Sequence, residues 1–344
     1  MKITFLIGNG FDLNLGLATN YADFIKWYLE QKSENSYIEK EFKAIVRSDL
    51  KTWAEAEFAF GQDCYKFKDT NNLRIALRDF ESQLARYLDM EARKIEFDYV
   101  TTEKSLATRI NVVESLLKND SKEVLRKYKK NRANEVHTYS FISFNYTKLF
   151  DEAIDTISPE RGLLSHYNTA QRKTIDKIDR IIHVHGTTEN GMIFGVDNDT
   201  QINKDGFIEE EKIDKLLVKP EINKRIKNGN DRFAQACINE SAIIGVYGMS
   251  IGQTDARWWD RIVRWLVNNK AVQLILFVHE DEYGDALPMD YIDLEEEYEN
   301  RLFKYSDVSE NDIDEARNRI HVVVNKNPFP VKVKSENHLI AEKV

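Results

Sequence analysis

The first ten residues constrain the fold more than any other stretch. Lys2 to Ile7 (KITFLI) is rich in β-branched and aromatic residues and stops at Gly8-Asn9-Gly10. A short apolar run that ends on glycine reads as a strand buried on both faces and feeding a tight turn, the form strands take in parallel sheets. The pattern returns at His137 to Phe144 (HTYSFISF), Ile181 to Val184 (IIHV), Ser241 to Tyr247 (SAIIGVY), Val272 to His279 (VQLILFVH) and His321 to Val324 (HVVV). Strands alternating with helix-length connections predict an α/β fold: a doubly wound, Rossmann-like parallel sheet with helices on both faces.

One region breaks the alternation. From about residue 36 to residue 132 there is no proline and one glycine, Gly61. Apolar side chains such as Leu77, Phe80, Leu84, Tyr87 and Leu88 recur every three or four residues, which predicts long amphipathic helices. We therefore expect one α/β domain (1–35 and 133–325), a large helical insertion (36–132) and a C-terminal tail (326–344). Within the α/β part, a helix is expected from Tyr21, where Phe24, Ile25, Tyr28 and Leu29 share a face, and Gly206 to Asn230 reads as a mobile loop with a short helix. The basic stretch Lys118 to Arg132 reads as a solvated helix face rather than a nucleic-acid patch.

Charge and cysteine usage narrow the function classes. With 58 Asp and Glu against 49 Lys and Arg the net charge is -9, so general nucleic-acid binding is not favoured. The two cysteines, Cys64 and Cys237, are too few for a four-cysteine zinc site or a disulfide framework and fit a reducing compartment. The apolar run Ile3 to Ile7 is too short for a signal peptide or a membrane span, and nothing later approaches about 18 consecutive apolar residues. A cytoplasmic location without membrane contact is the expectation.

Four stations carry chemistry. The first is Gly8-Asn9-Gly10-Phe11-Asp12 with Gly16-Leu17. A G-x-G turn after a strand allows close backbone approach to a phosphate or ribose and offers free N–H groups. The spacing is neither the dinucleotide fingerprint, because residue 13 is leucine, nor a P-loop. The alternative is a purely structural turn in which Asp12 caps a helix. The second is Phe141 to Thr147 (FISFNYT), where Asn145 follows a strand and can hold a ribose hydroxyl or a water, or merely close an Asx turn. The third is His183-Val184-His185-Gly186. Strand alternation puts both histidines on one side, so a metal pair has to be weighed. No H-E-x-x-H or cysteine pair completes such a site, and a single histidine before glycine suits a general base, the alternative being a packed core histidine. The fourth is Gly245 to Asp255 (GVYGMSIGQTD), a strand running into a second glycine turn at Gly248, Ser250 and Gly252. The tryptophans that follow, Trp258 and Trp265, read as core.

In this order the stations resemble the bacteriophage abortive-infection AbiH family. The likeness rests on GNGFDLNLGL, Trp53-Ala-Glu55-Ala-Glu57, SFNYT, HVHG and GMSIGQTD, and spans about residues 3 to 260. More distantly the chain resembles the sirtuin-like NAD-binding fold. There, Gly8, Asn9, Gly10, Asp12 and Gly16 look like the first glycine loop, Asn145 like the asparagine near the nicotinamide ribose, and His185-Gly186 like the catalytic histidine-glycine. Gly248 and Ser250, with Asp255 beyond them, look like the turn beside the adenosine half. The four-cysteine zinc module of sirtuin deacylases has no counterpart here, so the resemblance implies NAD consumption without an acyl substrate, with no zinc expected.

The resemblance therefore implies anti-phage defence with NAD or a related nucleotide as substrate or ligand. His185 and Asn145 would be catalytic, and Gly8, Asn9, Gly10, Asp12, Gly16, Gly248, Ser250 and Asp255 would hold the nucleotide. A phage-derived or protein trigger and a homo-oligomer are compatible partners. Two other readings stay open: a nucleotide-sensing module that binds without cleaving, and a magnesium nuclease built on Asp12, Glu55, Glu57 and Asp197. Glu55 and Glu57 are only two apart, which on a helix turns them to different faces.

Overall fold

The computed structural model of the chain describes residues 1–207, 210–280 and 288–334. It is a mixed α/β structure with strands β1 (Lys2–Ile7), β2 (Thr138–Ser143), β3 (Ser165–Tyr167), β4 (Lys173–Ile175), β5 (Lys177–His183), β6 (Ile243–Tyr247), β7 (Gln273–Val278) and β8 (Ile320–Val324). Six of them form one sheet in the order β5-β2-β1-β6-β7-β8, and every pairing in it is parallel. The two remaining strands, three residues each, make an antiparallel pair too short for any alternation to register in the sequence.

The chain moves outward from β1 through β2 to β5, then returns to the other flank of β1 and moves outward again through β6, β7 and β8. Where the direction of travel reverses, the connections leave the carboxyl ends of adjacent strands toward opposite faces and open a crevice. Register sharpens the point: Ile7 pairs with Ser143 on one side and Tyr247 on the other, and Ser143 pairs with His183. Four strands thus end in one row, so the four loops that follow them start level with one another.

Both faces of the sheet are buried, which is why its strands read as continuous apolar runs. Leu6, Ile142, Ile244 and Leu276 pack beneath the helices Asn230–Glu240 and Ala256–Asn268, whose Ile238, Trp258, Trp259 and Ile262 are all buried. Trp259 and Trp265 donate their ring N–H groups to Gly252 O and Ser241 O, at 3.1 and 3.0 Å, so both serve the core. On the other face Phe5, Ile7, Tyr139, Phe141 and Phe277 meet the helices Tyr99–Asn111 and Leu149–Asp155.

The helical region 36–132 packs as two units. Its first half, together with the helix Tyr21–Glu30, builds a separate core dominated by aromatic rings: Phe24, Tyr28, Phe42, Trp53, Phe60, Phe67 and Phe80. Phe194, from the connection after β5, is inserted into it, 5.3 Å from both Phe60 and Phe80. The second half returns to the sheet and covers its face. Of the basic helix Asn119–Lys130 only Leu125 is buried.

Two stretches are more ordered than their composition predicts. The run 206–230 contains helices Glu210–Leu217 and Lys219–Arg225, anchored where Val218 bridges Val196. Residues 326–334 of the expected tail pack back onto the fold: Phe329 is fully buried against Phe5, Phe141, Phe150 and Tyr247, and Val333 pairs with Phe97. The rest of that tail, 335–344, lies outside the described residues. Among the described residues no helix is long and apolar enough to cross a membrane.

Candidate functional site

A cavity of about 500 Å³ opens at the carboxyl ends of β1, β2, β5 and β6, and all four sequence stations contribute to its wall. Gly8, Asn9 and Asp12 come from the first loop, Phe144 to Thr147 from the second, His185 from the third and Gly248 to Asp255 from the fourth. The far side is closed by the helical unit through Glu55, Glu57, Phe58, Leu84 and Leu88. Its size lies within the range of small-molecule pockets, roughly 300–1,000 Å³.

The glycines work differently from the sequence expectation. Gly8 donates its amide to Tyr247 O at 2.9 Å and Gly10 donates to Gly248 O at 2.8 Å, so neither N–H is free for a phosphate. A Cβ on Gly8 would collide with Gly248 O, and one on Gly10 with the Gly248 Cα. Gly248 itself has φ +70°, where glycine is favoured. These three residues are glycine because the two loops lie against each other. Gly16 is not among the cavity's lining residues; with φ +82° it ends the short helix Gly10–Asn14. Asn9 is held by a reciprocal pair with Thr19, donating to its carbonyl at 3.0 Å and accepting from its hydroxyl at 2.7 Å. Ser250 and Asp255 line the cavity.

Asp12 lies inside the first turn of the helix Gly10–Asn14, whose N-cap is Asn9, and its side chain turns to the second loop instead of capping. Buried at 1% exposure, its carboxylate accepts from Thr147 Oγ1 at 2.6 Å and from Asn145 Nδ2 at 3.3 Å. Burial pushes its pKa up to about 6, against the opposing pull of those two donors. This bond turns Asn145 so that its Oδ1, also buried, has no hydrogen-bond partner. A buried acceptor left open at the wall of a cavity is a position for a ligand donor.

The two histidines part company. The strand ends at His183 and Gly186 turns left-handed at φ +72°, so the two-residue alternation that would align them does not extend to His185. His183 binds Asn145 O at 3.1 Å and both oxygens of Asp151 at 3.0 Å. His185 instead lines the cavity, edge-on to Phe144, with Nε2 3.3 Å from Asp255 Oδ1 but without a directed hydrogen bond. Burial first, and then the Lys219 ammonium, lower its pKa, which favours the neutral ring.

Lys219 is the residue that sequence reading missed. Fully buried, it lies 2.6 Å from Glu57 Oε2 and 3.3 Å from Asp255 Oδ1, and donates to Thr254 O at 3.1 Å. Glu57 also accepts from Tyr146 and Tyr21, at 2.9 and 3.1 Å, tying the helical unit to the sheet through one carboxylate. Burial, the largest influence on Asp255, works to raise its pKa, yet Lys219 and His185 outweigh it and hold the carboxyl below its usual range. The signal for Lys219 lay in its context, a single lysine after Leu216-Leu217-Val218 and before Pro220, where a helix starts on an apolar approach.

The acids of the nuclease reading do not converge. Asp197 stands apart from the cavity, accepting from the Arg257 amide at 3.0 Å, with burial raising its pKa to about 6. Glu57 is committed to Lys219, and Glu55 is exposed at the rim. Among the described residues the group with metal-ligand spacing is another one, His137, His166 and Asp176, at the opposite end of the sheet. There the two imidazoles are stacked parallel, 3.9 Å apart at 9°, so their in-plane lone pairs do not point at a common centre.

The sequence model of the family described as Bacteriophage abortive infection AbiH matches residues 4–277. No curated protein matches the chain. The match covers most of the sequence and includes every loop of the cavity, and the chain belongs to the AbiH family.

Proposed function

Starting from AbiH membership, we propose that this abortive-infection protein binds NAD in the cavity and hydrolyses it to nicotinamide and ADP-ribose. The observation that carries the reading is that Asn145 and His185 both line the cavity, Asn145 with its buried Oδ1 open to a donor and His185 as a buried ring beside the Asp255 carboxylate. The strand order, with its reversal at β1, supports the doubly wound, Rossmann-like and more specifically sirtuin-like reading of the sheet.

The chemistry asks little of the protein. Asn145 Oδ1 accepts from a ribose hydroxyl or from the attacking water and fixes its position. Neutral His185 takes the proton of that water as its oxygen bonds to the anomeric carbon. The bond from that carbon to the nicotinamide nitrogen breaks, and its electron pair neutralises the pyridinium. Burial and the Lys219 ammonium keep His185 an acceptor against the opposing pull of Asp255. Asp12 positions Asn145 through the bond to Nδ2. Gly8 and Gly248 shape the wall, with Gly10 packed behind it against Gly248, and Asn9, Ser250 and Asp255 offer polar groups to the nucleotide.

Incubating the protein with NAD and separating nicotinamide and ADP-ribose by chromatography tests the reading, alongside His185→Ala and Asn145→Ala. Full turnover in both variants, or none in the parent protein with or without phage lysate as trigger, overturns it. The sensor reading has one observation in its favour: the helical unit forms part of the cavity wall, so occupancy reaches its aromatic core directly. Stoichiometric NAD binding without product would select it.

A further inference from the structure

We infer that the cavity selects a cationic N-riboside and leaves the phosphates of a dinucleotide outside its walls. The inference rests on the proposed NAD chemistry and names the part of the substrate that the site encloses. Three observations on this chain point the same way.

The first is charge. Asp12, Glu55, Glu57 and Asp255 line the cavity, and no Lys or Arg stands among its described lining residues. The nearby cation, Lys219, is already shared by Glu57 and Asp255. Four carboxylates against one committed ammonium give a negative field, which attracts a pyridinium and repels a pyrophosphate.

The second is the glycine turn. A phosphate at a strand-to-helix turn is ordinarily held by loop amides, and here the Gly8 and Gly10 amides are bonded to Tyr247 O and Gly248 O. The space beside both glycines is filled by the Gly248 loop.

The third is the polarity of the vacant partner. Asn145 Oδ1 is a buried acceptor without a donor. A sugar hydroxyl can donate to it; a phosphate oxygen ionised at neutral pH cannot.

The probes are nicotinamide riboside, NAD and ADP-ribose, measured by calorimetry for binding and by nicotinamide release for turnover. The expected result is riboside affinity within tenfold of that of NAD, with ADP-ribose failing to compete. Glu55→Lys, at an exposed rim position, should weaken the riboside about tenfold by reversing one charge of the field. NAD preferred by more than a hundredfold, or ADP-ribose competing as well as NAD, overturns the inference and leaves hydrolysis standing. Riboside bound, with neither it nor NAD cleaved, supports the inference and removes hydrolysis. Absence of binding by all three overturns both.

Discussion

Two buried polar clusters sit at opposite ends of the same strands; each leaves a ring nitrogen without a hydrogen bond, His137 Nε2 in one and His185 Nε2 in the other, but only the second cluster lines the cavity. At the amino end of β2, Asp176 accepts from the His137 amide at 2.8 Å and faces His166 Nδ1 at 2.9 Å, while His166 Nε2 reaches Ala133 O at 2.9 Å. At the carboxyl end of β2, Asp12, Asn145, His185 and Asp255 use similar chemistry but face a cavity, and Asn145 Oδ1 and His185 Nε2 stay without directed partners. Buried polar groups turned on one another fasten a structure, whereas the same groups turned on a void await a ligand. The difference lies in what they face, not in residue type.

The largest test of that contrast is Lys219→Met. It strands Glu57 and Asp255 as buried charges without a counter-ion, and breaking such a group costs about 3–5 kcal/mol. Chemical denaturation should show a loss of that size, partly restored when Glu57→Gln is added. His185→Ala comes next. Nicotinamide release should fall at least about a hundredfold, the lower end of general-base contributions, with the unfolding midpoint little changed. His166→Ala should do the reverse, lowering the midpoint and sparing release.

Acidity separates the two ends more finely. Asp12 has a folded pKa raised to about 6, so its contribution to stability is full below about 3.8 and is lost as pH rises through about 6. A shift of that size is worth up to about 3 kcal/mol. His137 runs the other way. Burial and then His166 lower its pKa to about 3, so its contribution is present above about 6.5 and lost as pH falls toward 3. Stability measured from pH 3 to 8 should lose its decline between 4 and 6 in Asp12→Asn and its acid decline in His137→Gln; unchanged profiles would remove the contrast. Gly10→Ala should lower the unfolding midpoint as well, at a cost of at least about 1–3 kcal/mol, because the methyl group meets the Gly248 backbone and not a side chain that can turn away.

Much of this was legible in the sequence for a specific physical reason. A strand covered on both faces must be apolar throughout, so β1, β2, β6 and β7 announce themselves, and loops leaving such strands carry the polar residues that matter. Asn145, His185 and Asp255 were placed at the wall of the cavity that way. What was not legible depends on contacts distant in sequence. Gly10 looks like a phosphate turn until Gly248 is seen against it. His183 and His185 look like a pair until the strand stops between them. Lys219 is one lysine among many until Glu57, 162 positions earlier, is found 2.6 Å away. Phe329 sits in a stretch that reads as tail, and only the ring cluster it enters gives it meaning.

The abutment of the two glycine loops also bears on how a ligand gets in. Gly10 N–H bonds to Gly248 O and neither backbone has room to shift past the other, so the loops after β1 and β6 form one stiff lip. The opposite lip, carrying Glu55 and Phe58, belongs to the helical unit and joins the sheet's loops through Glu57, which accepts from Tyr146 and pairs with Lys219. The mouth of the cavity therefore lies between a lip fixed by backbone packing and one fastened to it through a buried carboxylate.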